Sequence, residues 1–345
     1  KIGGFREGFE GSQDYDIALR FIECIEPRNI VHIPRVLYHW RRHGSSTASG
    51  VAKKPYAEES AHKALKESLA RLGTPADITA ENYGYHVKYV LPEPPPLVSI
   101  VVIAGEDSDQ VGQFIAQTEQ ETDYPDFDLS VVCMNSMAAI NTAVNDCHGE
   151  YIALLDSDTK VRSRDWLTEL VAVAAQPGVG TVSAKLLDTS GSVKHAGYVL
   201  GLGGVVGSAF SRQPGNSPCY FGRAGLISCF SATSGSCMVL KKSRFQQVDG
   251  FEECHLRGAF ADIDLCLRLR EAGYRNVLNP RALLTQLESS NREKAARGQD
   301  QMERDVQYMR KRWGESLVND PCYSPNLTLD CEDFSLAWPP RVESM

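Results

Sequence analysis

Residues 151–155, Tyr-Ile-Ala-Leu-Leu, run without a polar break and stop at Asp156-Ser157-Asp158. Five apolar side chains with no alternation suit a strand covered on both faces, as in a parallel sheet between helices. Two carboxylates one residue apart at the carboxyl end of such a strand stand where open α/β sheets bind their ligands. Hard oxygen donors there can hold a divalent cation, which in turn holds phosphate. The plainer reading is that Asp156 and Asp158 solvate a turn or precede a helix beginning near Arg164. Both readings stand at this point.

The flanking sequence repeats the alternation. Apolar runs at 97–103, 129–133, 151–155 and 179–183 read as strands, with helical stretches between them. Trp166 to Ala175 reads as a helix stopped by Pro177, Phe260 to Ala272 as one closed by Gly273, and Met302 to Trp313 as another. Such alternation predicts an α/β fold with a mostly parallel sheet. Residues 192–230 are glycine-rich and read as loops and short strands; Gly201-Leu202-Gly203-Gly204 does not follow the G-x-G-x-x-G spacing of a nucleotide cradle. Upstream, residues 55–72 carry Ala61, Ala64, Leu65, Leu69 and Leu72 at helical spacing. Ile17, Leu19 and Phe21 point to a core-facing helix near the start. Leu91-Pro92-Glu93-Pro94-Pro95-Pro96 is a stiff extended connector and the clearest domain boundary.

A chain of 345 residues suggests about two domains. The net charge of −8 argues against a nucleic-acid partner, whose phosphates call for a basic face. Ten cysteines are scattered without C-x-x-C pairs, and Cys133, Cys237 and Cys266 lie inside apolar runs where a thiol acts as a small hydrophobe. This usage points to a reduced, cytoplasmic compartment.

The chain also repeats itself. Gly4-Phe5-Arg6-Glu7 followed by Asp14-Tyr15-Asp16-Ile17-Ala18-Leu19-Arg20 recurs as Gly250-Phe251-Glu252-Glu253 followed by Asp262-Ile263-Asp264-Leu265-Cys266-Leu267-Arg268. Ile33-Pro34-Arg35 matches Asn279-Pro280-Arg281. The first copy reads as the back end of a domain truncated at Lys1, the second as the same back end of a complete domain. The expected organisation is residues 1–50 as the remnant, 51–96 as a helical segment and Pro-rich linker, 97–338 as the complete domain, and 339–345 as a tail.

Taken together, Gly149-Glu150-Tyr151 through Asp156-Ser157-Asp158, His195-Ala196-Gly197, Asp249-Gly250-Phe251-Glu252, the helix from Asp262 and Pro325-Asn326-Leu327-Thr328 resemble family 2 inverting glycosyltransferases of the GT-A fold. The likeness is to bacterial tandem-domain enzymes of cell-surface polysaccharide synthesis. It implies transfer of a sugar from a nucleotide-diphospho-sugar to a glycan or lipid-linked saccharide acceptor, with inversion. It also implies a divalent metal, Mg2+ or Mn2+, on Asp158 with Asp156 beside it or on the ribose. Asp262 is implied as the base that deprotonates the acceptor hydroxyl, and peripheral association with the inner membrane face would bring a lipid-linked acceptor within reach. Asp264, two residues further into the helix, is expected to be structural. In the first copy Asp14 and His39 would correspond to the base and the metal-side histidine.

The departures bear on the donor. Cys133 stands where the family has a nucleobase-contacting Asp, and the stretch after it is cut to a few residues around 136–139. Ala261 replaces an acid, and the expected metal histidine falls at Thr285-Gln286-Leu287. Asp107, with Glu106, is the candidate replacement for the missing nucleobase acid. Two readings follow: an active transferase, or a degenerate domain acting as scaffold or acceptor-binding module. A third, a haloacid-dehalogenase-type phosphatase with Asp156 as nucleophile, wants Thr two places after Asp158, where Lys160 stands. His195 is expected to pack or bond rather than act as a base, and His148 and His255 show no partner pattern. Trp166, Trp313 and Trp338 are expected to pack, and Arg212, Arg223 and Arg257 to be solvated.

Overall fold

The computed structural model describes residues 2–39, 55–105, 108–133, 136–256, 259–287 and 299–342. The chain divides into two compact units, Lys1–Val90 and Leu91–Met345.

In the first unit, helix α1 (Gln13–Ile22) packs on helix α2 (Pro55–Arg71). Arg71 pairs with Glu23, and Ser12 Oγ donates to the Ala57 carbonyl. A hairpin follows, β1 (Ala76–Glu81) against β2 (Gly84–Tyr89). No residue of either strand is buried, so they lack the alternation that marks a half-buried strand. Phe21 is exposed rather than core-facing, because α1 turns the opposite side, with Asp16 and Arg20, inward.

The second unit is built on a nine-stranded sheet of order β11-β13-β7-β12-β5-β3-β4, with β6 beside β13 and β8 beside β7. Its strands are β3 (Val98–Ala104), β4 (Phe127–Cys133), β5 (Tyr151–Asp156), β6 (Thr159–Val161), β7 (Val179–Leu187), β8 (Val193–His195), β11 (Ser228–Phe230), β12 (Cys237–Lys241) and β13 (Arg275–Gln286). A separate pair, β9 (Tyr198–Leu200) and β10 (Val206–Ser208), lies in the glycine-rich segment. β4, β3, β5, β7 and β13 share one direction; β12 runs against them between β5 and β7. Residues 151–155 are all buried, as an unbroken apolar strand must be.

Helices α3 (Ser108–Glu121), α4 (Met137–Asp146), α5 (Trp166–Ala174), α6 (Lys242–Gln247), α7 (Ala261–Glu271) and α8 (Gln299–Val318) complete the unit. A large apolar cluster joins Ile152 and Leu154 of β5 and Met238 of β12 to Ile140 of α4, Leu265 of α7 and Trp313 of α8. Among the described residues no helix is long and apolar enough to cross a membrane.

The sequence repeat has a structural counterpart in each unit. Asp16 accepts from Arg20 on α1 as Asp264 accepts from Arg268 on α7, both buried i,i+4 pairs. Tyr15 N–H donates to Asp14 Oδ1 at 2.9 Å, and Ile263 N–H donates to Asp262 Oδ1 at 2.9 Å.

Candidate active site

The carboxyl end of β5 is pinned by its neighbours. Ile103 of β3 is paired with Asp156, Ser157 N–H donates to the Ile103 carbonyl at 3.0 Å, and Asp156 N–H donates to the Ser236 carbonyl at 2.9 Å. Across from it, α7 begins after Phe260, which takes a left-handed φ of +62°. Asp262 lies in the first turn, with Oδ1 accepting from Ile263 N–H and Oδ2 from Gly235 N–H at 2.8 Å. Consecutive residues thus join the two acids: Gly235 holds the Asp262 carboxylate and Ser236 holds the Asp156 backbone.

Asp156 and Asp262 line one cavity of about 580 Å3. Ile103, Met137, Ile140 and Leu154 form an apolar wall, whereas Lys194, Ser208, Ser211, Ser236 and Glu332 supply polar groups. Burial raises the pKa of Asp262, partly offset by the two N–H donors, so its carboxylate is more basic than a solvated aspartate. Tyr198 shares the cavity, and burial lifts its phenol well above the usual range, leaving it protonated.

Behind this wall His195 fixes the connecting loop. Its Nε2 accepts from Ser234 N–H at 3.0 Å and from Gly197 N–H at 3.2 Å. Its proton therefore sits on Nδ1, 3.5 Å from Ser208 Oγ. Burial pushes its pKa down to about 3, so the ring is neutral and structural. Gly197, at φ +96°, permits this: a Cβ there would stand 2.5 Å from the Phe230 ring.

The glycosyl transferase family 2 profile matches residues 90–233. The chain is 31% identical over 97% of its length to the O-antigen biosynthesis protein RfbC of Myxococcus xanthus. The second unit carries a glycosyltransferase family 2 module. The chain is also 39% identical, over 98% of its length, to protein y4gI of Sinorhizobium fredii. The chain spans 41% of y4gI and 28% of RfbC. Among solved structures it is similar to the mannosyltransferase PcManGT from Pyrobaculum calidifontis, solved with GDP-Man and Mn2+. The two share 16% identity at a TM-score of 0.43, over 73% of this chain and 79% of that one. The sheet order and its flanking helices make the second unit a mixed α/β fold with a mostly parallel sheet.

Other residues singled out in the sequence fall as follows. Asp158 sits on the turn from β5 into β6, where its carbonyl accepts from Leu287 N–H at 2.6 Å; it is absent from the cavity lining. The end of β13, where a metal histidine was expected, does lie beside this turn, but Thr285 accepts from Arg162 Nε and Leu287 is exposed. Asp107 and Glu106 lie outside the described residues, as does Arg257. Asp264 is fully buried, accepting from Trp313 Nε1 and Arg268 Nε, a structural role. Asp14 and His39 are both exposed.

Several plainer expectations need correction. Cys133 is exposed at the end of β4, an edge strand of the sheet, while Cys237 and Cys266 are buried. Trp338 is 87% exposed in the tail; Trp166 and Trp313 are buried. Arg223 stacks over Phe230 and donates to the Cys229 carbonyl rather than standing in solvent. His255 stacks on Tyr308 and meets Glu252 at 3.1 Å. Sequence reasoning passed over Ser234, Gly235 and Ser236; their one signal is a run of small residues leading into an apolar strand.

Proposed function

We propose that the second unit transfers a sugar from a nucleotide-diphospho-sugar to a saccharide hydroxyl with inversion. Asp262 takes the acceptor proton as the hydroxyl oxygen attacks the anomeric carbon from the side opposite the leaving diphosphate. Asp156, in the cavity, and Asp158, on the turn just beyond it, would serve the donor end. The observation that carries this reading is the single cavity shared by Asp156 and Asp262, with Gly235 and Ser236 bridging them.

Among the described residues no cluster of three His, Cys, Asp or Glu side chains could hold a metal unaided. Two carboxylates do fit Mg2+ or Mn2+ when a diphosphate and water complete the shell, the usual arrangement for magnesium. Asp158 with Asp156 would hold it, and it would neutralise charge on the departing diphosphate. Lys194, in the same cavity, adds a fixed positive charge.

The likeness to an O-antigen biosynthesis protein supports a growing cell-surface glycan, free or lipid-linked, as acceptor. Peripheral contact with the inner membrane face fits such an acceptor. Residues 1–50 are read as the back part of a second family 2 domain, on the strength of the paired Asp16–Arg20 and Asp264–Arg268 motifs.

Calorimetric titration with uridine and thymidine diphosphates plus Mn2+ tests the donor role. Binding in the micromolar to low millimolar range, weakened about tenfold or more by Asp156→Asn, is expected. Absence of binding by the wild type would refute it. That result would favour the second reading, an acceptor-binding scaffold, which rests on Cys133 being exposed at the nucleobase position and Leu287 standing beside Asp158.

A further inference from the structure

The polar rim of the cavity continues into an aromatic ladder. Ser211 and Glu332 line the cavity, and each lies next to, or two residues from, a ladder ring in sequence. Phe210 N–H donates to the Glu332 carbonyl at 3.3 Å, and the Phe210 ring stacks on Phe334 at 4.4 Å between centroids, 15° apart in plane. Phe334 stacks in turn on Tyr220 at 5.4 Å, and Tyr220 meets Phe221 edge-on at 4.8 Å. Phe210 and Phe334 are buried, whereas Phe221 is 74% exposed.

This ladder is built rather than loose. Of the seven non-glycine residues with left-handed φ among those described, five lie in it or beside it: Phe210, Arg212, Cys219, Phe221 and Phe334. Such conformations persist only where the surroundings enforce them, and they gather at ligand-holding sites. The loop that holds two of them, Cys219 and Phe221, is tied down by Lys185 of β7. This residue is 3% exposed, and its ammonium donates to the Gly215 carbonyl at 2.9 Å and to the Ala224 carbonyl at 2.8 Å. One buried cation therefore clamps both ends of the loop that carries Tyr220 and Phe221.

An exposed ring on a clamped loop, joined through stacked rings to the segments of Ser211 and Glu332 that line a cavity with a carboxylate base, suits one class of ligand. A pyranose has an apolar C–H face, which covers an aromatic ring in water, and a hydroxyl rim, which needs polar partners such as Ser211 and Glu332. We propose that Tyr220 and Phe221 form an acceptor-saccharide subsite, on which a sugar ring of the acceptor stacks while a hydroxyl reaches towards Asp262. The inference rests on the transferase reading of the cavity and assigns its acceptor side.

The test is saturation-transfer NMR on the full chain with methyl pyranosides of glucose, galactose, mannose and rhamnose and their disaccharides. Saturation should concentrate on the ring C–H protons of at least one probe. Phe221→Ala should raise its dissociation constant about tenfold or more, and Phe221→Trp should restore it to within about threefold. Lys185→Met, which frees the loop, should weaken binding in the same direction. Binding unchanged in Phe221→Ala, or no binding of any probe at about 100 mM, would overturn the proposal. Loss of anionic-vesicle binding in Phe221→Ala without pyranoside contact would also overturn it, assigning the ring to a membrane. The donor titration separates the two readings. Nucleotide binding without Phe221-dependent saccharide binding removes the subsite alone; the converse keeps the subsite and removes the donor role.

Discussion

The backbone N–H of Gly235 donates to Asp262 Oδ2 at 2.8 Å, and a Cβ at Gly235 would stand 3.1 Å from the Asp262 Cβ. The loop before β12 and the start of α7 thus fit each other only because position 235 carries no side chain. Gly235→Ala should push the Asp262 carboxylate aside by a few tenths of an ångström. Because reacting groups lose rate steeply with misplacement, transfer should fall about tenfold while nucleotide affinity holds. Steady-state kinetics beside calorimetry would check both halves.

Asp262→Asn should cost about 10²–10⁴-fold in transfer rate, the usual worth of a general base. The amide also fits poorly, since both carboxylate oxygens accept from backbone N–H groups and one would now face an NH2. A stability loss of about 1–3 kcal/mol should accompany the rate loss, read by denaturant unfolding.

Because burial raises the Asp262 pKa, the acid limb of the wild-type rate should lie above the ordinary aspartate value of about 3.9. Activity rises with pH as that carboxylate ionises. A pH–rate profile at saturating donor locates the limb, and a limb at or below the ordinary value contradicts the assignment.

His195 makes a separate prediction about stability. Its pKa is about 3 when folded and about 6.5 when unfolded, so below pH 6.5 the unfolded chain takes the proton first. The neutral ring's contribution is complete above that pH and is lost as pH falls towards 3, by up to about 1.4 kcal/mol per unit. Urea unfolding between about pH 5 and 6.5, above the carboxylate range, should show this slope in the wild type. His195→Gln should lack it.

Asp264 and Asp16 hold equivalent buried pairs, and neither lines the cavity. Removing Asp264 leaves Arg268 Nε and Trp313 Nε1 without their acceptor, so Asp264→Ala should destabilise the second unit by about 3–5 kcal/mol. Asp16→Ala should act similarly on the first unit, through Arg6 and Arg20. Thermal unfolding of each variant checks this.

Sheet and helices were legible where periodicity was strong. Residues 151–155 announced a buried strand, and the helix beginning at Asp262 was bounded by its own acids and by Gly273. The reversed strand β12 is apolar from Cys237 to Leu240, which fixes burial but says nothing about direction. The hairpin β1–β2 was invisible because its strands bury neither face. In the site, Asp156 and Asp262 could be singled out because strand and helix ends carry local signals. The Ser234–Gly235–Ser236 bridge could not, since it works through backbone groups that any residue possesses; only the contacts reveal it. Likewise the aromatic ladder joins residues 210, 220, 221 and 334, whose adjacency depends on tertiary folding.

The central claim is that Asp262 drives inverting displacement at a sugar held beside Asp156. Proton NMR of an α-linked nucleotide sugar incubated with the full chain tests it most directly, following the anomeric configuration of the first-formed product. The account predicts a β-configured product that forms about 10²–10⁴-fold more slowly with Asp262→Asn. An α-configured product, or a variant rate close to that of the wild type, would contradict it.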